Sequence, residues 1–158
     1  ESAHSKVGNS VSTPTLPHLL SPEEIALLLD LQVIELRTGL AGGHSPRTIT
    51  TLEEWSYPSH EVEQRRFALF KDLWTRGYFL TSGLKFGGEF LVYSGDPDNH
   101  HSRFITTILT SPEQPLQSTE LVGLSRLGTG VTKSRLLCVY NSNTQTFRYM
   151  TMDWYALT

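Results

Sequence analysis

The stretch Tyr78–Arg103 reads YFLTSGLKFGGEFLVYSGDPDNHHSR, and its punctuation governs how the rest of the chain is read. An apolar run, Phe90-Leu91-Val92-Tyr93, lies between Gly87-Gly88 and Ser94-Gly95-Asp96-Pro97. A short apolar and aromatic run bounded by turn formers predicts a largely buried strand. That strand ends at Tyr93 and hands over to a polar loop carrying His100 and His101. The end of a rigid strand and the loop after it are where chemistry is commonly mounted. An ordinary reading stands beside the functional one. Tyr93 then is a core aromatic with its hydroxyl at the surface, and the two histidines belong to a solvated Asp/Asn-rich loop.

Outward from this stretch, composition sets the class. The chain has 158 residues, 38% hydrophobic and 18% charged, enough to bury a core and too apolar for a disordered chain. No run approaches the roughly 18 apolar residues of a membrane helix. The single cysteine, Cys138, sits in Leu136-Leu137-Cys138-Val139 and is expected to be an inert core thiol. That excludes an internal disulfide or a Cys-rich zinc site and suits a reducing compartment. No secretory signal is visible, and the start at Glu1 suggests a trimmed N-terminus. Net charge is −3, unhelpful for binding nucleic acid, yet it is unevenly spread. Residues 1–63 carry a net of −6 and residues 64–158 a net of +3. The mildly basic part holds the candidate site, which permits phosphate contact.

In chain order, residues 1–17 are Ser/Thr/Pro/Gly-rich and predict a flexible tail. Ser21-Pro22-Glu23-Glu24 is a helix start with a capping box, followed by an apolar face of Ile25, Leu28 and Leu29 and a strand at 33–36. Residues 38–59, with three glycines and two prolines and no sustained period, are expected to be a linker. From His60 to Arg76 the residues Val62, Phe67, Leu69, Phe70, Leu73 and Trp74 predict a helix stopped by Gly77. Phe67, Phe70 and Trp74 are expected in the core. Strands follow near 78–81, 87–93 and 103–109, then a helix near 118–127. Strands at 131–140 and 146–153 are joined by the turn Asn141-Ser142-Asn143. The expected class is α+β or α/β, with a mixed sheet over residues 60–158.

The words Lys85-Phe86-Gly87-Gly88-Glu89-Phe90-Leu91-Val92-Tyr93, Gly95-Asp96-Pro97 and His101 resemble the catalytic subunits of tRNA-splicing endonucleases. The Gly-Asp-Pro after the tyrosine is most similar to the subunit that cuts the 3′ splice site, although the 5′-cutting subunit shares the wider skeleton. The family's catalytic set is a Tyr, a His eight residues on, and a Lys about thirty further. Tyr93, His101 and Lys133, the last in Gly128-Thr129-Gly130-Val131-Thr132-Lys133, stand at those places. Ser94 and Glu89 depart from the commoner neighbours. The resemblance implies a restriction-nuclease-like sheet over 60–158. It also implies that residues 18–37 are the remnant of a small N-terminal domain whose opening strands are missing.

The implied activity is metal-independent, RNA-binding cleavage of pre-tRNA introns, without a cofactor. RNA carries its own nucleophile, the 2′-hydroxyl. The reaction needs a base, an acid for the leaving 5′-oxygen and positive charge on the phosphate. By resemblance Tyr93 is the base, although a free phenol with a pKa of about 10 is a weak one at neutral pH. Either Lys133 and the site depress that pKa, or Tyr93 positions the 2′-hydroxyl more than it removes the proton. His101 suits the acid and Lys133 the cation. The implied products are a 2′,3′-cyclic phosphate and a 5′-hydroxyl. A magnesium site of the Asp-x-Lys or Glu-x-Lys kind is missing, since Phe90 and Leu91 follow Glu89. Asp96 and Asp98 are better read as turn formers, and His100 with His101 lack further zinc ligands in any recognisable spacing.

Taken alone, a lysine such as Lys133 at a strand edge after a Gly-rich turn is usually a solvated charge. Arg103, Arg126 and Arg135 are either phosphate or base contacts or surface charges. The implied assembly is a nuclear heterotetramer of two catalytic and two structural subunits. In it the strand Thr146–Trp154 extends a sheet into a structural partner. The alternatives are a non-catalytic structural subunit of the same assembly and a small binding module.

Overall fold

The computed structural model describes residues 19–37, 39, 47–111, 123 and 133–153. Helix α1, Pro22–Asp30, begins as the capping box requires: the Ser21 hydroxyl accepts from the Glu24 N–H, and the Glu24 carboxylate accepts from the Ser21 N–H at 2.7 Å. Its buried face is Glu23, Ala26, Leu27 and Leu29, rotated from the expected Ile25, Leu28 and Leu29. The cause is Glu23: a carboxylate occupies a core-facing position, so the apolar periodicity misreports which side faces inward. Helix α1 closes with Gln32 in the left-handed region, φ 57°. The N–H groups of Gln32 and Val33 return to Leu29 and Leu28 carbonyls at 3.0 and 3.1 Å. This reciprocal pair of bonds is the Schellman stop. It takes up residue 33, so the strand expected at 33–36 is not formed. Strand β1 is only Leu36–Arg37, antiparallel to β2, Thr48–Ile49.

Residues 47–59, expected to be linker, instead carry β2 and a 3-10 turn at Leu52–Glu54. Ile49 is buried, and Leu52, Trp55 and Tyr57 pack on the main core. Their apolar residues are isolated and aperiodic, which hid this packing. Helix α2, Glu61–Thr75, buries Phe67, Leu69, Phe70 and Leu73. Gly77, φ 88°, ends it, with Gly77 and Tyr78 N–H groups on Trp74 and Leu73 carbonyls. Trp74 is 47% exposed and Val62 64%, so the core placement of Trp74 fails. From α2 it lines an open groove with Leu20, Leu27 and Phe79.

The main sheet has five strands in chain order: β3 Phe79–Ser82, β4 Phe90–Tyr93, β5 Phe104–Leu109, β6 Ser134–Asn141 and β7 Thr146–Met152. All neighbours are antiparallel except β5 and β6, which run parallel with Phe104 opposite Ser134. This is a mixed α+β sheet. Phe90, Val92, Leu136, Cys138 and Phe147 join Ala26, Leu27 and the α2 residues in one core. Alternation sends Leu109, Leu137 and Val139 to the other face, where they form a second buried cluster. β6 is therefore covered on both sides, which explains its unbroken apolar run. The β6–β7 turn is held by Asn141 Oδ1, which accepts from the Asn143 and Thr144 N–H groups. Among the described residues β3 and β7 are the sheet edges. The expected tail 1–17, Arg126, Trp154, Tyr155 and, apart from the helical Gly123, the helix near 118–127 lie outside the described residues.

A partly buried ionic cluster, with Glu23 at its inner end, ties α1, α2 and β4 together. The Arg66 guanidinium bridges Glu23 and Glu89, the latter at 2.6 Å, and lies 4.6 Å from the Phe90 ring centre. Tyr57 donates to Glu23 at 2.9 Å. Burial alone would raise the Glu23 pKa, but the Arg66 bond, backbone bonding and Tyr57 outweigh it and hold the carboxyl below its ordinary value. Burial, then the bond to Glu23, pushes the Tyr57 phenol upward. The Asp72 carboxylate on α2 accepts from Arg76 at 2.7 Å and from the Tyr149 hydroxyl, fastening β7 to the helix.

Candidate active site

Tyr93 is the last residue of β4 and is half-buried, with its hydroxyl 3.3 Å from the Thr81 hydroxyl on β3. β4 is short of the expected 87–93 because the chain turns through Leu84–Phe86 and Gly87, φ 64°, before pairing. Gly88 passes so close to β5 that a Cβ there would lie 2.4 Å from Ile105 Cγ2 and 2.5 Å from the Thr106 carbonyl oxygen. The N–H of Glu89 donates to that oxygen at 3.0 Å, and the Phe90 N–H to Thr106 Oγ1 at 2.9 Å.

Arg135 secures the same turn from β6. It is 1% exposed, and its guanidinium donates to the carbonyls of Gly87 at 3.0 Å and Phe86 at 3.3 Å. Neither of the readings open for Arg135 in the sequence holds: it is an internal brace, not a surface charge or an RNA contact. Desolvation lowers its pKa. The one available signal was a guanidinium at the head of an apolar strand, which demands buried acceptors.

The loop after Tyr93 is organised by its own side chains. Asp96 Oδ1 accepts from the Asp98 N–H at 3.0 Å, and the Asp96 carbonyl accepts from Asn99 N–H at 3.0 Å. His100 Nδ1 donates to that carbonyl at 3.1 Å, and its ring fills the space a Cβ on Gly95 would need, 2.6 Å from Cε1. The Gly-Asp-Pro word thus builds the loop, and Asp96 acts as the turn former expected. His100 is spent on this loop. His101, one residue on, is exposed.

Three backbone or side-chain bonds then bring the sequence-predicted residues to one rim. The N–H of Arg103 donates to the Val92 carbonyl at 2.8 Å, beside Tyr93. The Ser134 N–H donates to the Arg103 carbonyl at 3.2 Å, and Lys133 Nζ donates to the Ser102 carbonyl at 3.3 Å. The end of β4 and the starts of β5 and β6 therefore coincide. The backbone of Tyr93, the segment after His101 and the start of β6 at Lys133 thus meet at one end of the sheet. Phenol, imidazole and ammonium are group types able to move protons and oppose negative charge. Glu89, near the start of β4, is engaged with Arg66. Among the described residues no three His, Cys, Asp or Glu side chains converge as metal ligands do.

Residues 64–149 match the catalytic C-terminal domain of tRNA intron endonucleases. The chain is 37% identical over 105 residues to the tRNA-splicing endonuclease subunit Sen34 of Mus musculus, covering 66% of this chain and 33% of that protein. It is 28% identical over 139 residues to the tRNA-splicing endonuclease of Hyperthermus butylicus, covering 85% of this chain and 75% of that one. Over 93 residues it is 29% identical to subunit SEN34 of Saccharomyces cerevisiae, 58% of this chain and 34% of that protein. The chain spans about a third of the length of the mouse relative. With the match covering more than half of its residues, the chain belongs to the tRNA intron endonuclease family, through that family's catalytic C-terminal domain.

Proposed function

We propose that the chain is the cleaving part of a pre-tRNA intron endonuclease, acting at the 3′ splice site without a metal. Tyr93 takes the proton of the 2′-hydroxyl, whose oxygen attacks the adjacent phosphorus. The bond from phosphorus to the 5′-oxygen breaks, and His101 gives that oxygen its proton. Lys133 opposes the charge that builds on the phosphate oxygens. The ends are a 2′,3′-cyclic phosphate and a 5′-hydroxyl. The observation that carries this reading is the bond from Lys133 Nζ to the Ser102 carbonyl, one residue from His101, beside the Arg103–Val92 pairing next to Tyr93. The Gly95-Asp96-Pro97 word supports the 3′ assignment.

The working form is a nuclear heterotetramer, in which the edge strand β7 pairs with a structural subunit; its Met150 is 53% exposed. The test is cleavage of an intron-containing pre-tRNA by the reassembled complex in EDTA, wild type beside His101→Ala. Loss of the 3′ cut alone is expected. Loss of only the 5′ cut reverses the splice-site assignment. Survival of both cuts makes this chain a structural subunit and refutes the catalytic roles. Imaging the tagged full-length protein tests the compartment.

A further inference from the structure

We infer that Arg103 is a second phosphate contact, holding the RNA backbone beside the bond that is cut. This rests on the function proposed above and adds to it a residue that the Tyr–His–Lys set does not include. Arg103 occupies the middle of the rim: its N–H is bonded to β4 next to Tyr93 and its carbonyl to β6 next to Lys133. Bonding on both sides fixes its backbone more firmly than that of the exposed loop before it.

Its side chain is engaged differently from five of the other described arginines. Arg37, Arg65, Arg66 and Arg76 each pair with a carboxylate, and Arg135 is buried on backbone carbonyls. Arg103 is exposed, and among the described residues it forms no ion pair. Its guanidinium carbon lies 5.3 Å from the Phe104 ring centre. A guanidinium held over a ring at this distance gains a cation–π attraction while its N–H groups stay available to a planar or tetrahedral oxyanion. With no carboxylate paired to it among the described residues, a phosphodiester of the substrate is the acceptor that fits.

A phosphate contact contributes to affinity and register, so it is separable from the chemical step. The experiment uses the full-length protein in its reassembled complex, with Arg103→Gln and Arg103→Lys beside wild type. Binding is read on a pre-tRNA whose splice-site 2′-hydroxyls are replaced by hydrogen, so that no cutting occurs, across a range of salt concentrations. Arg103→Gln is expected to weaken binding about tenfold and to reduce the salt slope by about one. Its single-turnover cleavage at saturating RNA should persist, with a loss smaller than the loss in affinity, whereas His101→Ala should abolish cleavage. Arg103→Lys should keep the salt slope and recover part of the affinity.

An unchanged Kd and salt slope in Arg103→Gln overturn the proposal while leaving the catalytic assignment intact. So does weaker binding that comes with a lowered unfolding midpoint and an unchanged slope, which marks a structural role. A wild-type complex that neither binds nor cuts pre-tRNA overturns the function proposed above and this contact with it.

Discussion

Replacing Gly88 by alanine tests how tightly β4 is seated on β5. The added methyl would stand 2.4 Å from Ile105 Cγ2, 2.5 Å from the Thr106 carbonyl oxygen and 3.0 Å from Arg135 Nη1. None of these can withdraw cheaply. Ile105 and Thr106 are 0% exposed and Arg135 1%; the carbonyl is backbone within a paired strand. The chain at residue 88 must therefore retreat, which costs about 1–3 kcal/mol for an overpacked core position. Retreat also stretches the Glu89–Thr106 hydrogen bond, adding about 1 kcal/mol. The expected loss is about 2–4 kcal/mol in urea unfolding followed by far-ultraviolet circular dichroism. Gly39→Ala is the control, because among the described residues a Cβ there meets nothing within 4 Å; its change should stay below about 0.5 kcal/mol. A Gly88→Ala loss under about 1 kcal/mol would refute the claim that close approach, not chance, explains the second glycine of the pair.

Two further perturbations address the buried ionic groups. Arg66→Met leaves Glu23 buried without its cation, with an expected cost of roughly 3 kcal/mol at neutral pH. Because the folded pKa of Glu23 lies below the ordinary 4.5, its pairing stabilises the fold above that pH, and the contribution fades as pH falls through the lowered value. Wild type should thus lose stability more steeply than Arg66→Met on acidification below about 4.5; parallel acid-unfolding curves would refute the pairing. Cys138, 0% exposed with its thiol pushed up to about 12 by burial, should resist thiol reagents in the native state and react at once in urea. Rapid native labelling would contradict the core placement.

The elements that sequence predicted well are those whose signal is local. The runs at 90–93, 104–109 and 134–141 and the glycine-capped helix α2 declare themselves through apolar residues and punctuation. Long-range polar pairing was hidden. Glu23 faces inward because Arg66 lies opposite it, 43 residues away, and that partnership turned the apparent face of α1. Arg135 reads as a surface charge until the Phe86 and Gly87 carbonyls are seen around it. Trp74 fits the helix period, yet the period does not say how wide a stripe the sheet covers. At the site, the loop after Tyr93 was legible as a word. The meeting of Lys133 with Ser102 depends on the parallel register of β5 and β6, which no local pattern contains. The order of those two strands had to come from the fold.

That parallel pairing also orders the events of folding. β3 with β4 and β6 with β7 are near neighbours in sequence and close through short turns. β5 meets β6 only after the whole connection between Leu109 and Ser134 has been closed, the sort of non-local step that slows a chain. Tyr93 and His101 belong to one side of that closure and Lys133 to the other. A chain paused before it holds two-thirds of the rim on one folding unit and the remaining ammonium on another. Assembly of the candidate site therefore waits on the joining of β5 to β6, and until then Lys133 is held apart from Tyr93 and His101.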